Sequence, residues 1–398
     1  MNTASSTRAQ SVAGVIAVAA MLLAFGLANS PLVDWYQVVH HLPVVVQVGS
    51  FAIDKPLILW INDGLMVYFF LLITLELKRE ILEGQLSDPG ALAAPGFAAL
   101  GGMLVPALIY ALFNFGDSGA MRGWAIPTAT DAVLALTVLA LLGSRVPVSL
   151  KVFLTALAIF DDLGAILIIA LFYTDQLSAP SLLMAALGLV ALVLLNICNI
   201  SRVAAYSVIG LFLWVSMLES GVHATLAGVA IGLAIPMRLM RDGNAFSPLR
   251  DVEKHLHPWV ALGVVPVFAF FNSGIPLSGS ALDALMSASS LGIVLGLFVG
   301  KQIGVFGATW FAVRIGVAQL PAAASWLQLY GVAVVAGVGF TMSMFVAGLA
   351  FSDPEAFQNA RLSVVVGSIL SAIVAVLVLR YVANERAAVG GQRSELLS

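Results

Sequence analysis

Two adjacent aspartates, Asp161 and Asp162, stand in the middle of an apolar run, Ala158-Ile159-Phe160-Asp161-Asp162-Leu163-Gly164-Ala165. A third, Asp131, closes Ile126-Pro127-Thr128-Ala129-Thr130-Asp131 inside another run. One lysine, Lys301, lies within Leu297-Phe298-Val299-Gly300-Lys301-Gln302-Ile303-Gly304. A charge at the centre of a membrane helix costs roughly 2.5–3.5 kcal/mol on insertion scales. Four such charges left unpaired would cost on the order of 10 kcal/mol, comparable to the stability of a whole domain. They must face a bundle interior, pair with one another, or line water. One lysine cannot neutralise three aspartates, so the remainder calls for a proton, a metal cation, or both. Adjacent residues point about 100° apart on a helix. Asp161 and Asp162 therefore do not chelate one ion as a rigid pair, but one can meet Lys301 while the other faces a cavity. Burial raises a carboxylate pKa and a nearby ammonium lowers it. Such a site can hold either a proton or a hard cation near neutral pH, and competition between them is enough for exchange. The plainer alternative is a packing lock between helices, although a buried ion pair is weak evidence for stability.

Weaker candidates flank these. Asp63, in Trp60-Ile61-Asn62-Asp63-Gly64, falls near the outer end of a run. Glu76-Leu77-Lys78-Arg79-Glu80 closes that run. It reads either as a solvated helix end with local ion pairs or as a gate that senses pH. Glu253-Lys254-His255-Leu256-His257 and His223 carry imidazoles, which titrate near neutrality. Loop histidines are more often bystanders.

The elements that must position these groups follow from composition. Charged residues make up 10% of the 398, against about 25% in an average soluble domain. Hydrophobic residues make up 61%, and the mean hydropathy is +1.03. So few charges cannot cover a water-soluble surface. Cys198 is the only cysteine, which excludes a disulfide scaffold. A net charge of -3 gives no nucleic-acid footprint. Apolar runs near 20 residues suit helices and not alternating barrel strands. The expected fold is an all-α polytopic membrane protein of about twelve spans. They lie near 11–30, 57–77, 93–114, 121–143, 149–173, 180–200, 203–219, 222–236, 258–273, 287–313, 325–351 and 358–380. The first run is too long for a signal-peptide core and lacks a small-x-small cleavage site, so it reads as an uncleaved span. With the N-terminus inside, fourteen of the 18 Lys and Arg residues fall on the cytoplasmic side. Lys55, Arg122 and Arg361 lie outside, and Lys301 is within a span. That bias places both termini in the cytoplasm. Residues 1–384 form one transporter domain and 385–398 a cytoplasmic tail.

The run from Pro43 to Pro56 has two β-prone stretches around Gly49-Ser50. Within the outer segment 31–56 it reads equally as an exposed hairpin or a plain loop. A hairpin would leave open edges that seek a partner strand. Segment 237–257 reads as a basic cytoplasmic loop. Pro127 interrupts the fourth span and Gly337-Val338-Gly339 the eleventh. Each is the middle of a three-span group, the arrangement of inverted repeats with broken helices at a transporter's midplane. Half-helix ends carry partial charge that an Asp and a Lys could balance. No GxxxxGK[ST] loop is present, which argues against ATP-driven transport.

With these residues in hand, the chain resembles the NhaA-type bacterial sodium/proton antiporters over nearly its whole length. The resemblance rests on Trp60 to Gly64, Leu75 to Glu80, Ala125 to Asp131, Phe160 to Ala165, Gly221 to Gly228, His257-Pro258-Trp259, Gly300-Lys301 and Gly339 to Ser343. It implies twelve spans with the fourth and eleventh broken and crossed. It implies that Asp161 and Asp162 hold the ion, Asp162 being the principal Na+ and proton ligand. Asp161 would pair with Lys301, and Asp131 with Thr130 would lie at the crossing. It further implies Li+ as an alternative substrate, electrogenic exchange, alkaline activation, no cofactor, the bacterial inner membrane, and a homodimer joined through the 43–56 hairpin. Glu76, Arg79, Glu80 and Glu253 match positions linked to pH response. Lys254 departs from members that carry histidine directly after the glutamate, which bears on the pH profile and not on the exchange chemistry.

Rival readings want other residues. A proton-coupled solute symporter wants more Asn, Gln, Tyr or Arg within the spans. An intramembrane aspartyl protease wants acids on different helices in a Gly-x-Gly-Asp setting. A passive channel wants weak ion binding, not an ionisable site of this kind.

Overall fold

Backbone polar groups have no water to bond with in a lipid interior, so a chain this apolar has to satisfy them within helices. The computed structural model describes residues 3–49, 51–84, 89–174, 177–241, 244–277 and 281–395. Every expected run lies on helix: Thr3–Ala28, Leu57–Glu83, Pro89–Phe113, Val148–Phe172, Ala179–Ile197, Val203–Leu218, Leu226–Ala234, Pro248–Ser273, Ala288–Arg314 and Pro354–Glu395, with two broken helices described below. Among the described residues, seven helices are long and apolar enough to cross a membrane, or ten if each bent pair counts as one span. Twelve is not reached on length alone, because Val203–Leu218 has 16 residues and Leu226–Ala234 has 9. The second is short because Gly221 takes a left-handed φ of 84°, and residues before Leu226 form turns instead of helix.

Lipid-facing surface is visible on individual helices. Leu100, Leu104, Leu108 and Leu112 are 55–78% exposed at spacings of four, one stripe of Pro89–Phe113. Ala94, Ala98 and Tyr110 on the same helix are buried. Exposed leucine stripes of this length suit acyl chains and not water.

The chain divides into two compact units. The first comprises Met1–Val15, Asp88–Ala165 and Leu277–Ser398. Its core gathers Ala98, Leu139, Leu150, Leu157, Leu329 and Val335. It contains two three-helix groups built alike: a long helix, a broken helix, a long helix. The broken members are Ser118–Thr128 with Ala132–Leu141, bent by 42°, and Trp326–Val335 with Phe340–Ala350, bent by 44°.

The second unit comprises Ile16–Ser87 and Ile166–Pro276. Its core gathers Leu75, Leu192, Leu213, Ala227 and Leu249. Of the two readings of the 43–56 segment, the structure has the hairpin. Pro43–Val48 pairs antiparallel with Phe51–Pro56, in a register that sets Val46 opposite Ile53. A short helix not anticipated from sequence, Val33–His40, precedes it at 116° to Val12–Ala28. Tyr36 and His40, one turn apart, reach the last carbonyls of Val265–Ser273. The Tyr36 hydroxyl donates to Phe270 O at 2.8 Å, and His40 Nε2 lies 2.7 Å from Phe271 O.

The segment 237–257 is not a plain loop. Leu239–Arg241 pairs with Asn244–Phe246, and a helix starts at Pro248 and not at 258. The cause is local. Ser247 accepts from Arg250 N, and Pro248 occupies the first turn, where its missing N–H costs nothing.

Candidate functional site

The first broken helix begins tightly. Arg122–Thr128 is a 3-10 segment containing Pro127, which has no N–H to give. The chain is then extended at Ala129 and Asp131, and helix resumes at Ala132. Asp131 is the N-cap of that second half, its Oδ1 accepting from Leu134 N at 2.9 Å. Its other oxygen serves the second broken helix: Oδ2 accepts from Thr341 N at 3.1 Å and from the Thr341 hydroxyl. One carboxylate therefore faces two helix N-termini, where backbone N–H groups concentrate positive charge. The backbones meet as well. Asp131 N donates to Val338 O at 2.7 Å, and the Ser343 hydroxyl donates to Ile126 O at 2.7 Å. Asp131 is 2% exposed.

Thr130, beside Asp131, turns the other way. Its hydroxyl lies 2.6 Å from Asp161 Oδ2 and 2.9 Å from Ala336 O. It has one proton to donate, so it serves one acceptor at a time. Ala336 ends the first half of the second broken helix, where carbonyls lack partners.

Lys301 comes from Ala288–Arg314. Two π-turns, Gly296–Gly300 and Gln302–Phe306, bracket it. Glycines bring this helix against Pro89–Phe113: a Cβ on Gly304 would collide with Gly101 O, and one on Gly300 would lie 2.9 Å from Pro106 Cα. Lys301 Nζ donates to Asp161 Oδ2 at 2.6 Å, and both side chains are wholly buried. Thr130 and Lys301 thus converge on a single oxygen of Asp161. The other, Oδ1, is buried and has no hydrogen-bond partner among the described residues. Asp162, next along Val148–Phe172, is 6% exposed. The arrangement is one carboxylate half satisfied by a cation, with a second carboxylate beside it. It can accept a proton or offer hard oxygens to a small cation. No group of three or more His, Cys, Asp or Glu suited to a metal ion occurs among the described residues. A small cation here would rely on few carboxylates.

The expected pH-response residues lie in the second unit. Arg79 Nε meets both oxygens of Glu253 at 3.0 Å, and Arg79 Nη1 meets Glu80 at 2.8 Å. Glu76, one turn before Glu80, is within electrostatic reach of Glu253, Arg79 and Glu80. Arg79 joins Leu57–Glu83 to Pro248–Ser273 through that pair. A neighbouring cluster escaped sequence reading: Glu83 is held between Arg238 and Arg250. His223 Nε2 meets Tyr173 O, and His255 Nδ1 lies 2.6 Å from Asp251 O, so both rings have backbone partners.

Thr341 and Ser368, which no motif marks as functional, both serve the second break. A glycine where a helix should carry an N-cap oxygen was the available sign for Ser368.

Comparison with known proteins supplies a family. The profile of the family described as Na+/H+ antiporter 1 matches residues 4–379. A Na(+)/H(+) antiporter NhaA of Maricaulis maris is 56% identical over 94% of this chain and 91% of its own length. One from Sulfurovum sp. is 52% identical over 96% of this chain and 98% of its own. One from Rhodospirillum rubrum is 54% identical over 94% and 96%.

Proposed function

The chain belongs to the Na+/H+ antiporter 1 family, and from that premise we propose that Asp161 and Asp162 are the site through which it exchanges Na+ for H+. It is a multi-pass membrane protein that carries out Na+/H+ antiport. The observation that best supports the site is the buried, unpartnered Oδ1 of Asp161 next to Asp162.

In the proposed cycle, deprotonated Asp162 and Asp161 bind Na+, or Li+, from the cytoplasm through carboxylate oxygens. Lys301 and Thr130 hold Asp161 Oδ2, which orients the residue and leaves Oδ1 to the ion. A rocking motion opens the site to the outside, the cation leaves, and protons replace it. Asp131 and Thr341 steady the crossing of the two breaks through the cycle. Ions and protons suffice for this cycle, which uses no cofactor and is electrogenic. Alkaline activation runs through Glu76, Arg79, Glu80 and Glu253. The protein sits in the bacterial inner membrane as one transporter domain with both termini cytoplasmic. It forms a homodimer through the 43–56 hairpin.

In everted vesicles with a preformed pH gradient, added Na+ or Li+ dissipates the gradient, and Asp162→Asn abolishes that response at equal membrane content. Normal exchange by Asp162→Asn would remove Asp162 from the site.

A further inference from the structure

Helix Phe340–Ala350 starts at Gly339, which has no side chain to cap it. Glycine is required there: a Cβ would lie 2.8 Å from Leu297 Cδ2, 2.9 Å from Ala129 O, and would collide with Ser343 Oγ. The crossing of the two breaks therefore deprives this helix of its own N-cap. Its first N–H groups are met from elsewhere. Thr341 N donates to Asp131. Gly339 N and Phe340 N both donate to Ser368 Oγ, each at 3.2 Å. Ser368 belongs to Pro354–Glu395 and is 5% exposed. The first break needs no such help, because Asp131 caps its own helix. One turn on, Ser371 is also fully buried and its hydroxyl has no hydrogen-bond partner among the described residues.

We infer that Ser368 is a positioning residue for transport: it supplies in trans the N-cap that Gly339 cannot, and so holds Thr341 on Asp131. This inference rests on the crossing being part of the ion site proposed above. It gives the two breaks different anchorage. The first is self-capped, whereas the second depends on a neighbouring helix and is released if that helix shifts.

The test measures Na+-driven exchange in everted vesicles against Na+ concentration and pH. Ser368→Ala leaves two buried N–H groups without acceptors. It is expected to raise the half-saturating Na+ concentration about five- to tenfold, the effect of one or two net hydrogen bonds, while the maximal rate stays close to wild type. Ser368→Thr, which keeps the hydroxyl, restores the wild-type value. Ser371→Ala removes only an unpartnered hydroxyl and changes nothing. Wild-type half-saturation in Ser368→Ala, or an equal shift in Ser371→Ala, overturns the inference. If Ser368→Ala fails to accumulate in the membrane, Ser368→Cys is read in its place. Its weak sulfur acceptor is expected to give an intermediate shift, and no shift overturns the inference. An unchanged Ser368→Ala beside a dead Asp162→Asn leaves the site assignment standing.

Discussion

Lys301 and Asp161 are fully buried with one 2.6 Å bond between them, and Asp161 keeps an unpartnered oxygen. Removing one member of such a pair leaves the other charge stranded, at about 3–5 kcal/mol, whereas replacing both is far milder. Lys301→Ala should therefore lower the melting midpoint of the purified protein sharply. Lys301→Leu combined with Asp161→Asn should recover much of that loss while remaining inactive. Equal stability of Lys301→Ala and wild type would mean that the pair does not hold the fold. The contrast with Arg79 and Glu253 is one of solvent. Their side chains are 33% and 16% exposed, and such a pair is worth about 0–1 kcal/mol. Glu253→Gln should leave the melting midpoint near wild type and move the pH at which exchange switches on. An unmoved pH profile would detach Glu253 from regulation. The identities Asp161, Asp162 and Lys301 were readable because charge in an apolar run is expensive. That Thr130 and Lys301 share one carboxylate oxygen and leave the other bare was not readable, since it depends on how three helices meet.

At the scale of elements, the placement of glycine decides which helices can touch. Gly304 and Gly101 face each other backbone to backbone, beside Lys301, and a Cβ on either would collide with the other's carbonyl oxygen. Gly307, one turn on, has nothing within 4 Å of an added Cβ. Gly304→Ala should cost about 1–3 kcal/mol by overpacking. Gly307→Ala should be neutral or up to about 1 kcal/mol stabilising through helix propensity. Thermal midpoints of the two variants check this, and matched values would mean that the crossing is not close-packed. The two breaks were legible from Pro127 and Gly337-Val338-Gly339. The capping that makes them tolerable was only half legible. Asp131 follows the familiar pattern of an N-cap aspartate, but Ser368 is one of several serines in an apolar helix, indistinguishable from Ser371 until the helices pack. The early start of Pro248–Ser273 was missed because its first turns are charged, although Ser247-Pro248 is a helix-start signature.

At the scale of the whole molecule, the 43–56 hairpin is a two-stranded sheet whose outer edges pair with no further strand among the described residues. Open edges tend to pair with another strand. Deleting residues 43–56 should convert the detergent-solubilised protein from dimer to monomer by mass, while some exchange survives. A dimer that persists would place the contact elsewhere. Composition alone determined that this chain lives in lipid and is helical, because 10% charge cannot clothe a soluble surface and lipid leaves helices as the way to satisfy the backbone. Charge within the apolar runs singled out Asp131, Asp161, Asp162 and Lys301 as the residues on which the proposed site rests. Tertiary structure decided what sequence spacing cannot encode. It fixed which oxygen of Asp161 is taken, which two N-termini Asp131 serves, and that Ser368 and not Ser371 closes the second break. Those are contacts between residues up to 210 positions apart, set by how glycine-lined helices approach one another and not by any local pattern.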